Sequence, residues 1–347
     1  MSNPIKQTIK RLLGKQLSSH LLYRRYYRRA LERAGFPMGK AAGEEAYKAK
    51  WRQLSRWVEP YSYRLFSHYC GPTPDIIPED IMHNIVEATL NPRHLWDVYE
   101  DKNMFPLLLD ADVVPRTVAR RVGGGPIDYA TSLAGLQVPL ILKPSIASSC
   151  GEHILRFDRV GDNYVSNTGL PLDEAMLTAY GSDWVLQEAI VQHPVMAQFC
   201  STSVNTMRLV VYRSVVDLQP HLTCGIFRMG NEGSVVDNAV AGGLYVGIDV
   251  EHGRLRGDAF DIMGRHKPFA GCDLPCWDKV VDLACYVASR IPHHHLLALD
   301  IAITANEKPM LLEYNIGGFS SCVYNYTGQT VFGQYTDEVI RWVLARR

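Results

Sequence analysis

The strongest constellation in the chain lies between Leu299 and Gly318. Leu299-Asp300-Ile-Ala-Ile-Thr304 and Pro309-Met-Leu-Leu-Glu313-Tyr-Asn315 are two β-type runs separated by Ala305-Asn-Glu-Lys308, and Gly317-Gly318 ends the second. That pattern predicts an antiparallel hairpin. With Asn306 and Glu307 as a two-residue loop, position i faces position 613 − i, so Asp300 lies opposite Glu313. Opposed Cβ atoms sit about 5 Å apart, and like charges there repel. Alternation by two puts Asn315 on the same face as Glu313. Two carboxylates and an amide thus converge with no basic residue among them. A hard divalent cation would resolve the repulsion, since Mg²⁺ takes oxygen ligands and binds through one or two carboxylates plus phosphate. Two alternatives stay open: one carboxylate faces solvent, or an arginine elsewhere in the chain pairs with it. The loop also lacks the Asn-Gly that favours a two-residue turn.

Upstream, the chain divides by pattern. Apolar residues recur every three to four positions through Ile5, Ile9, Leu12, Leu13, Leu17 and Leu21, then Leu22, Tyr26, Tyr27, Ala30, Leu31 and Ala34, until Gly35-Phe-Pro37 stops them. This predicts a helix. A second is expected from Glu44 to Val58. A third runs from Pro78-Glu79-Asp80, with acids in its first turn, to Asn91-Pro92. From about residue 105 strands and glycine turns take over, with a helix expected again from Asp278 to Arg290.

Four further segments carry chemistry. Lys143-Pro-Ser-Ile-Ala-Ser148-Ser149-Cys-Gly151 delivers a lysine from a strand into a small, hydroxyl-rich loop. Backbone N–H groups and hydroxyls in such a loop can hold phosphate, although a plain surface loop has the same composition. It is not a Walker loop. Gln187-Glu188-Ala-Ile190 ends a strand, Ser203-Val-Asn-Thr-Met-Arg208 starts one, and Val236-Asp-Asn238 precedes Ala241-Gly-Gly243.

Taken in order, Lys102, Lys143, Gln187-Glu188, Arg208, Asn238, Asp300, Glu313 and Asn315 resemble the ATP-grasp superfamily. Leu-Lys-Pro at 142–144, Ser-Val-Asn-Thr-Met-Arg at 203–208, Val-Asp-Asn-Ala-Val-Ala-Gly-Gly at 236–243 and Leu-Leu-Glu-Tyr-Asn at 311–315 are similar to its sugar-transfer-associated family. The resemblance covers roughly residues 95–340. The loop at 148–151 has less glycine than many relatives. The resemblance implies an α+β, ATP-grasp fold: two α+β subdomains clasping ATP, here preceded by a helical N-terminal region. The expected division is a basic helical region at 1–94 and an ATP-grasp domain at 95–347.

It also implies roles. Lys102 and Lys143, with Ser148, Ser149, Gly151 and Asn238, would meet the nucleotide. Gln187, Glu188, Ala189 and Ile190 would form the hinge against adenine, and Glu188 or His193 would reach the ribose or the adenine amine. Asp300, Glu313 and Asn315 would hold Mg²⁺, in agreement with the hairpin argument. Arg208, with Lys143, would be catalytic. The implied activity is an ADP-forming carboxylate–amine ligase working through an acyl phosphate, with a small-molecule or glycan carboxylate and an amine as substrates. The expected setting is modification of a sugar acid or amino acid in surface polysaccharide or glycoconjugate biosynthesis. The alternatives are a ligase for free amino acids or peptides, and a nucleotide-binding module that does not ligate.

Composition bounds the rest. Lysine plus arginine and aspartate plus glutamate number 36 each, but residues 1–58 hold 14 of the cations and only three of the acids. That segment is +11 and the remainder −11. A basic amphipathic helix can lie in an anionic membrane interface; the alternative is that it packs on the chain's own acidic body. Nucleic acid is a weaker reading, because no binding module is recognisable. No apolar run reaches the roughly 18 residues of a spanning helix, and no signal-peptide pattern opens the chain. Eight scattered cysteines are expected to be reduced thiols in a cytoplasmic protein, peripheral at the membrane if the arm binds it. His293-His294-His295 is expected to be a solvated loop.

Overall fold

The computed structural model describes residues 14–146, 153–231, 233, 237, 242–318 and 320–347. Helices Lys15–Arg33 (α1), Glu44–Arg52 (α2) and Tyr61–Cys70 (α3) open it. The second stops six residues before the expected Val58, because the Ser55 hydroxyl accepts from Trp57 N–H at 3.1 Å and bends the chain away. The third expected helix begins at Glu79 and ends at Leu90, but its middle, Met82–Val86, is a π turn.

Two antiparallel sheets follow. The first contains β1 (Thr117–Arg121), β2 (Asp128–Tyr129), β3 (Leu140–Pro144), β4 (Leu155–Val160), β5 (Asn163–Ser166) and β6 (Trp184–Glu188), in the order β2-β1-β6-β3-β4-β5. Its small core packs Leu142, Phe157, Trp184 and Leu186 with Leu177 of helix Glu174–Tyr180. The second contains β7 (Thr206–Arg213), β8 (Pro220–Met229), β9 (Leu244–Asp249), β10 (Arg254–Phe260), β11 (His266–Pro268), β12 (Leu296–Ile303) and β13 (Pro309–Asn315), in the order β11-β10-β9-β8-β7-β12-β13.

The second sheet is covered on both faces. One face, with Leu209, Leu299 and Ile301, meets Val280, Ala284 and Val287 of helix Trp277–Ser289. The other, with Val210, Tyr212, Tyr245 and Ala298, meets Tyr27, Leu31, Phe66 and Ile85 of the N-terminal helices and Val339 and Val343 of helix Thr336–Leu344. β12 is therefore buried along its whole length, and Asp300 is its one charged residue. Alternation puts Arg208 on the same side as Val210 and Tyr212, and Asp300 on the same side as Ala298. The N-terminal helices thus cover one end of the very face whose other end carries these charged groups.

The arm's apolar stripe splits at α1. Tyr27, Ala30 and Leu31 are buried, whereas Leu21, Leu22 and Tyr26 point outward; Ile5, Ile9, Leu12 and Leu13 lie outside the described residues. Packing of α1 on its own body is thus realised by its second half. The seven described cysteines are free thiols. The histidine run is not solvated: only His293 is exposed. His294 is fully buried, edge-on to Tyr99 at 5.2 Å, and burial pushes its pKa down to about 4. His295 Nδ1 sits 2.8 Å from Arg213 O.

Candidate functional site

The β12–β13 hairpin places two carboxylates face to face by an unexpected route. Next to the turn, Ile303 pairs with Pro309, Ala302 with Met310 and Ile301 with Leu311, one residue out of the expected register. The loop has three residues, 305–307, because Glu307 adopts a left-handed φ of 56° and its N–H donates to Thr304 O at 3.0 Å. A bulge at Leu312 then restores the register, so Asp300 faces Glu313 and Ala298 faces Asn315. Bulges re-aim side chains near active sites, and here the Leu312 carbonyl accepts from Lys143 Nζ at 3.4 Å.

Cations surround the pair. Arg208 grips Asp300 with two bonds of 2.7 Å, through Nε and Nη2, and Arg228 Nη1 lies 3.3 Å from the same carboxylate. Burial alone would raise the Asp300 carboxyl, yet Arg208 and Arg228 hold it below its ordinary value. The open alternative of an arginine from elsewhere in the chain is thus realised for Asp300. Lys102, nearly fully buried, reaches Glu313 Oε1 at 3.0 Å. Its backbone N–H donates to Ser145 O at 3.0 Å, which ties it to the end of β3. Lys143, at the C-terminal end of β3, is pushed down to about 8 by burial and then by Lys102, against the pull of Glu313 and Asp300. Lysines anchored on the first sheet therefore meet carboxylates on the second.

The segment after β6 links the sheets. His193 N–H donates to Ile303 O and Ala305 N–H to Val191 O, both at 2.8 Å. Within this expected hinge several groups are already engaged. The Gln187 amide donates to Pro115 O and Thr117 Oγ1, Glu188 pairs with Arg116 at 3.0 Å, and Ala189 N–H donates to Pro139 O at 2.8 Å. His193 Nδ1 caps the short helix Pro194–Ala197 by accepting from Val195 N–H. Ile190 leads from this segment toward Val191. Ser148, Ser149, Gly151 and Asn238 lie outside the described residues.

Arg228 is absent from the sequence reading, and Asp237 enters it only as part of the Val236-Asp-Asn238 segment, with no role of its own. Arg228 Nη2 bonds Asp237 Oδ1 at 2.6 Å, and Asp237 Oδ2 accepts from Thr206 N–H at 3.0 Å. The available signal is a lone arginine ending the apolar run Cys224-Gly-Ile-Phe227; β8 places it opposite Thr206 and hence beside Arg208.

Asp300, Glu313 and Asn315 supply hard oxygen donors on neighbouring strands, a set suited to Mg²⁺ with phosphate oxygens completing its shell. The three donors on Asp300 leave part of a carboxylate's four lone-pair positions open. Among the described residues no group of three or more His, Cys, Asp or Glu side chains could hold a metal alone.

The model of the sugar-transfer-associated ATP-grasp family matches residues 82–325, and the chain belongs to that family. No curated protein matches it. Among solved structures, it is 15% identical to D-cycloserine synthetase DcsG, over 74% of this chain and 73% of that one, with a TM-score of 0.42. It is 11% identical to the D-alanine–D-alanine ligase from Bacillus anthracis, over 72% and 68% of the two chains, with a TM-score of 0.39. It is likewise 11% identical to the L-amino acid ligase from Bacillus licheniformis, with a TM-score of 0.37; the match covers 70% of this chain and about half, 48%, of that one.

Proposed function

We propose that this chain is an ATP-dependent, ADP-forming carboxylate–amine ligase that works through an acyl phosphate, on a sugar acid or amino acid of surface polysaccharide or glycoconjugate assembly. The observation that carries the reading is the meeting of Lys102 and Lys143 with Asp300, Glu313, Arg208 and Arg228 across two sheets. The glycan setting rests on the family alone.

In this reading Lys102 and Lys143 hold nucleotide phosphates, with the chain after β6 against the base. Asp300, Glu313 and Asn315 hold Mg²⁺, which when bound neutralises phosphate oxygens during transfer. Arg208 and Arg228 face the transferred phosphoryl group and then the oxyanion left when the amine attacks. The substrate carboxylate displaces ADP from the γ-phosphorus, and the amine displaces phosphate from the acyl carbon. The ion pairs Lys102–Glu313 and Arg208–Asp300 keep these groups neutralised while the cleft lacks ligand, so nucleotide binding exchanges protein partners for phosphate.

Hydroxylamine tests the intermediate. With ATP and the true acid it should yield a hydroxamate before any amine is added. ADP release without hydroxamate would mean transfer to water or to a hydroxyl instead, and would overturn the acyl-phosphate reading. No ADP release with any acid and amine would leave the non-ligating module.

We also propose that α1 meets an anionic membrane surface with its outward side. Leu21, Leu22 and Tyr26 stand exposed there among Arg25, Arg28 and Arg29, a mixture suited to the lipid interface. No helix among the described residues is long and apolar enough to cross a membrane. The protein should float with anionic but not neutral liposomes at low salt and be released at high salt. A protein that stays in solution with anionic lipid would sink the membrane proposal. Deleting residues 1–34 should lower the melting temperature in either case, because Tyr27, Ala30 and Leu31 are core residues.

A further inference from the structure

The chain leaving β13 is held by acids from the helical region more than 200 positions earlier. Ile316 N–H donates to Glu100 Oε1 at 2.9 Å, Gly318 N–H to Glu87 Oε1, and Ser321 N–H to Glu79 Oε1 at 3.1 Å. The hydroxyls of Ser320 and Ser321 also donate to Glu79. Gly317 completes the fit, because a Cβ there would stand 2.1 Å from the Trp96 ring.

Glu79 and Glu87 are each 2% exposed. Burying two carboxylates is costly unless each is paired and hydrogen-bonded. His83 lies between them, Nε2 at 3.4 Å from Glu79 and Nδ1 at 2.9 Å from Glu87. Burial would lower the His83 pKa, but Glu79 and Glu87 raise it to about 10, which favours an imidazolium between the two acids. The π turn aligns them. Four residues of α-helix turn through about 400°, and the wider π turn through less, which brings 79, 83 and 87 into one line. Such π segments occur often at functional sites.

Here buried charge is spent on the residues that directly continue the strand bearing Glu313 and Asn315. We infer that Glu79 and Glu87 are positioning residues for the reaction: they fix the chain beyond β13 and thereby hold Glu313 and Asn315 in the geometry that takes Mg²⁺ with nucleotide. The inference rests on the ligase reading above.

The test measures ADP affinity as a function of Mg²⁺, alongside steady-state kinetics, for Glu79→Ala, Glu87→Ala and the two Gln variants. The Ala variants should shift the Mg²⁺ midpoint and lower kcat per nucleotide-binding site by about 10-fold or more, as loss of groups behind metal ligands does. Mg-free ADP affinity should stay near wild type, and the Gln variants, which keep an acceptor oxygen, should recover most of the loss. A merely structural role would lower the number of binding sites while each remaining site kept the wild-type midpoint and kcat. Ala variants with a midpoint and per-site kcat within about twofold of wild type would overturn the inference, since 10–100-fold is expected. If they fold poorly, Ser320→Ala and Ser321→Ala remove donors to Glu79 from the other side and should shift the midpoint in the same direction; unchanged midpoints would overturn it equally. Wild-type ADP binding that is indifferent to Mg²⁺ would instead sink the metal reading itself.

Discussion

If Asp300 and Glu313 hold Mg²⁺ as proposed, Asp300→Asn and Glu313→Gln should each reduce Mg-dependent ATP turnover at least tenfold, because loss of a metal ligand would remove several kcal/mol of transition-state stabilisation. The two variants should differ in stability. Asp300 is almost fully buried and pairs with both Arg208 and Arg228. Removing one side of such a pair leaves uncompensated buried charge and costs about 3 kcal/mol, so Asp300→Asn should also melt earlier. Glu313 is about one-third exposed on its side chain, so its pair with Lys102 is screened and its loss should cost less. Rates must therefore be taken per folded molecule, from ADP release normalised to nucleotide-binding sites. Either variant keeping more than about a tenth of the wild-type rate would overturn the metal assignment, as that corresponds to under 1.4 kcal/mol.

The hairpin shows which parts of this site are legible in sequence. Alternation by two and like charges in opposition are local features, and they locate Asp300, Glu313 and Asn315 on adjacent strands. The turn is not legible in the same way. Glu307 in a left-handed conformation lengthens the loop, and only the unforeseen bulge at Leu312 returns the carboxylates to opposition. Both depend on packing around the hairpin, including the Lys143 amine at the Leu312 carbonyl.

Partners far along the chain leave no periodic trace. Arg228 enters the site through the β7–β8 register, and Asp237 through its contacts with Thr206 and Arg228. The acids of the third helix read as ordinary first-turn charges favouring the macrodipole, yet Glu79 is buried and serves Ser320 and Ser321. His294 misleads for the same reason: a run of histidines looks solvated until Tyr99 and Pro92 O close over it. The basic arm is legible as helix, but which of its apolar residues turn inward is decided by the surface of the second sheet and α3.

Lys143→Met should separate activity from stability in opposite directions. Turnover should fall by about 10²-fold, the usual cost of removing one preorganised donor from a developing charge. Stability should rise. Burial and the nearby Lys102 lower the folded-state pKa of Lys143 to about 8, against about 10.5 for an ordinary lysine, so its charge is held at a cost. A lysine lowered in this way binds fewer protons folded than unfolded between those two values. Wild-type stability contributed by this group therefore increases as pH rises from about 8 towards 10.5, and the full cost is present below about 8. Methionine removes that cost, and the gain at pH 7 should be on the order of 2 kcal/mol, discounted for the partial exposure of the side chain. The variant's advantage in melting temperature should then shrink as pH is raised through 8 and beyond. A variant that melts below wild type at pH 7, or whose advantage is the same at pH 7 and pH 10, would mean that Lys143 is held by favourable contacts in the free protein rather than stored as unneutralised charge awaiting phosphate.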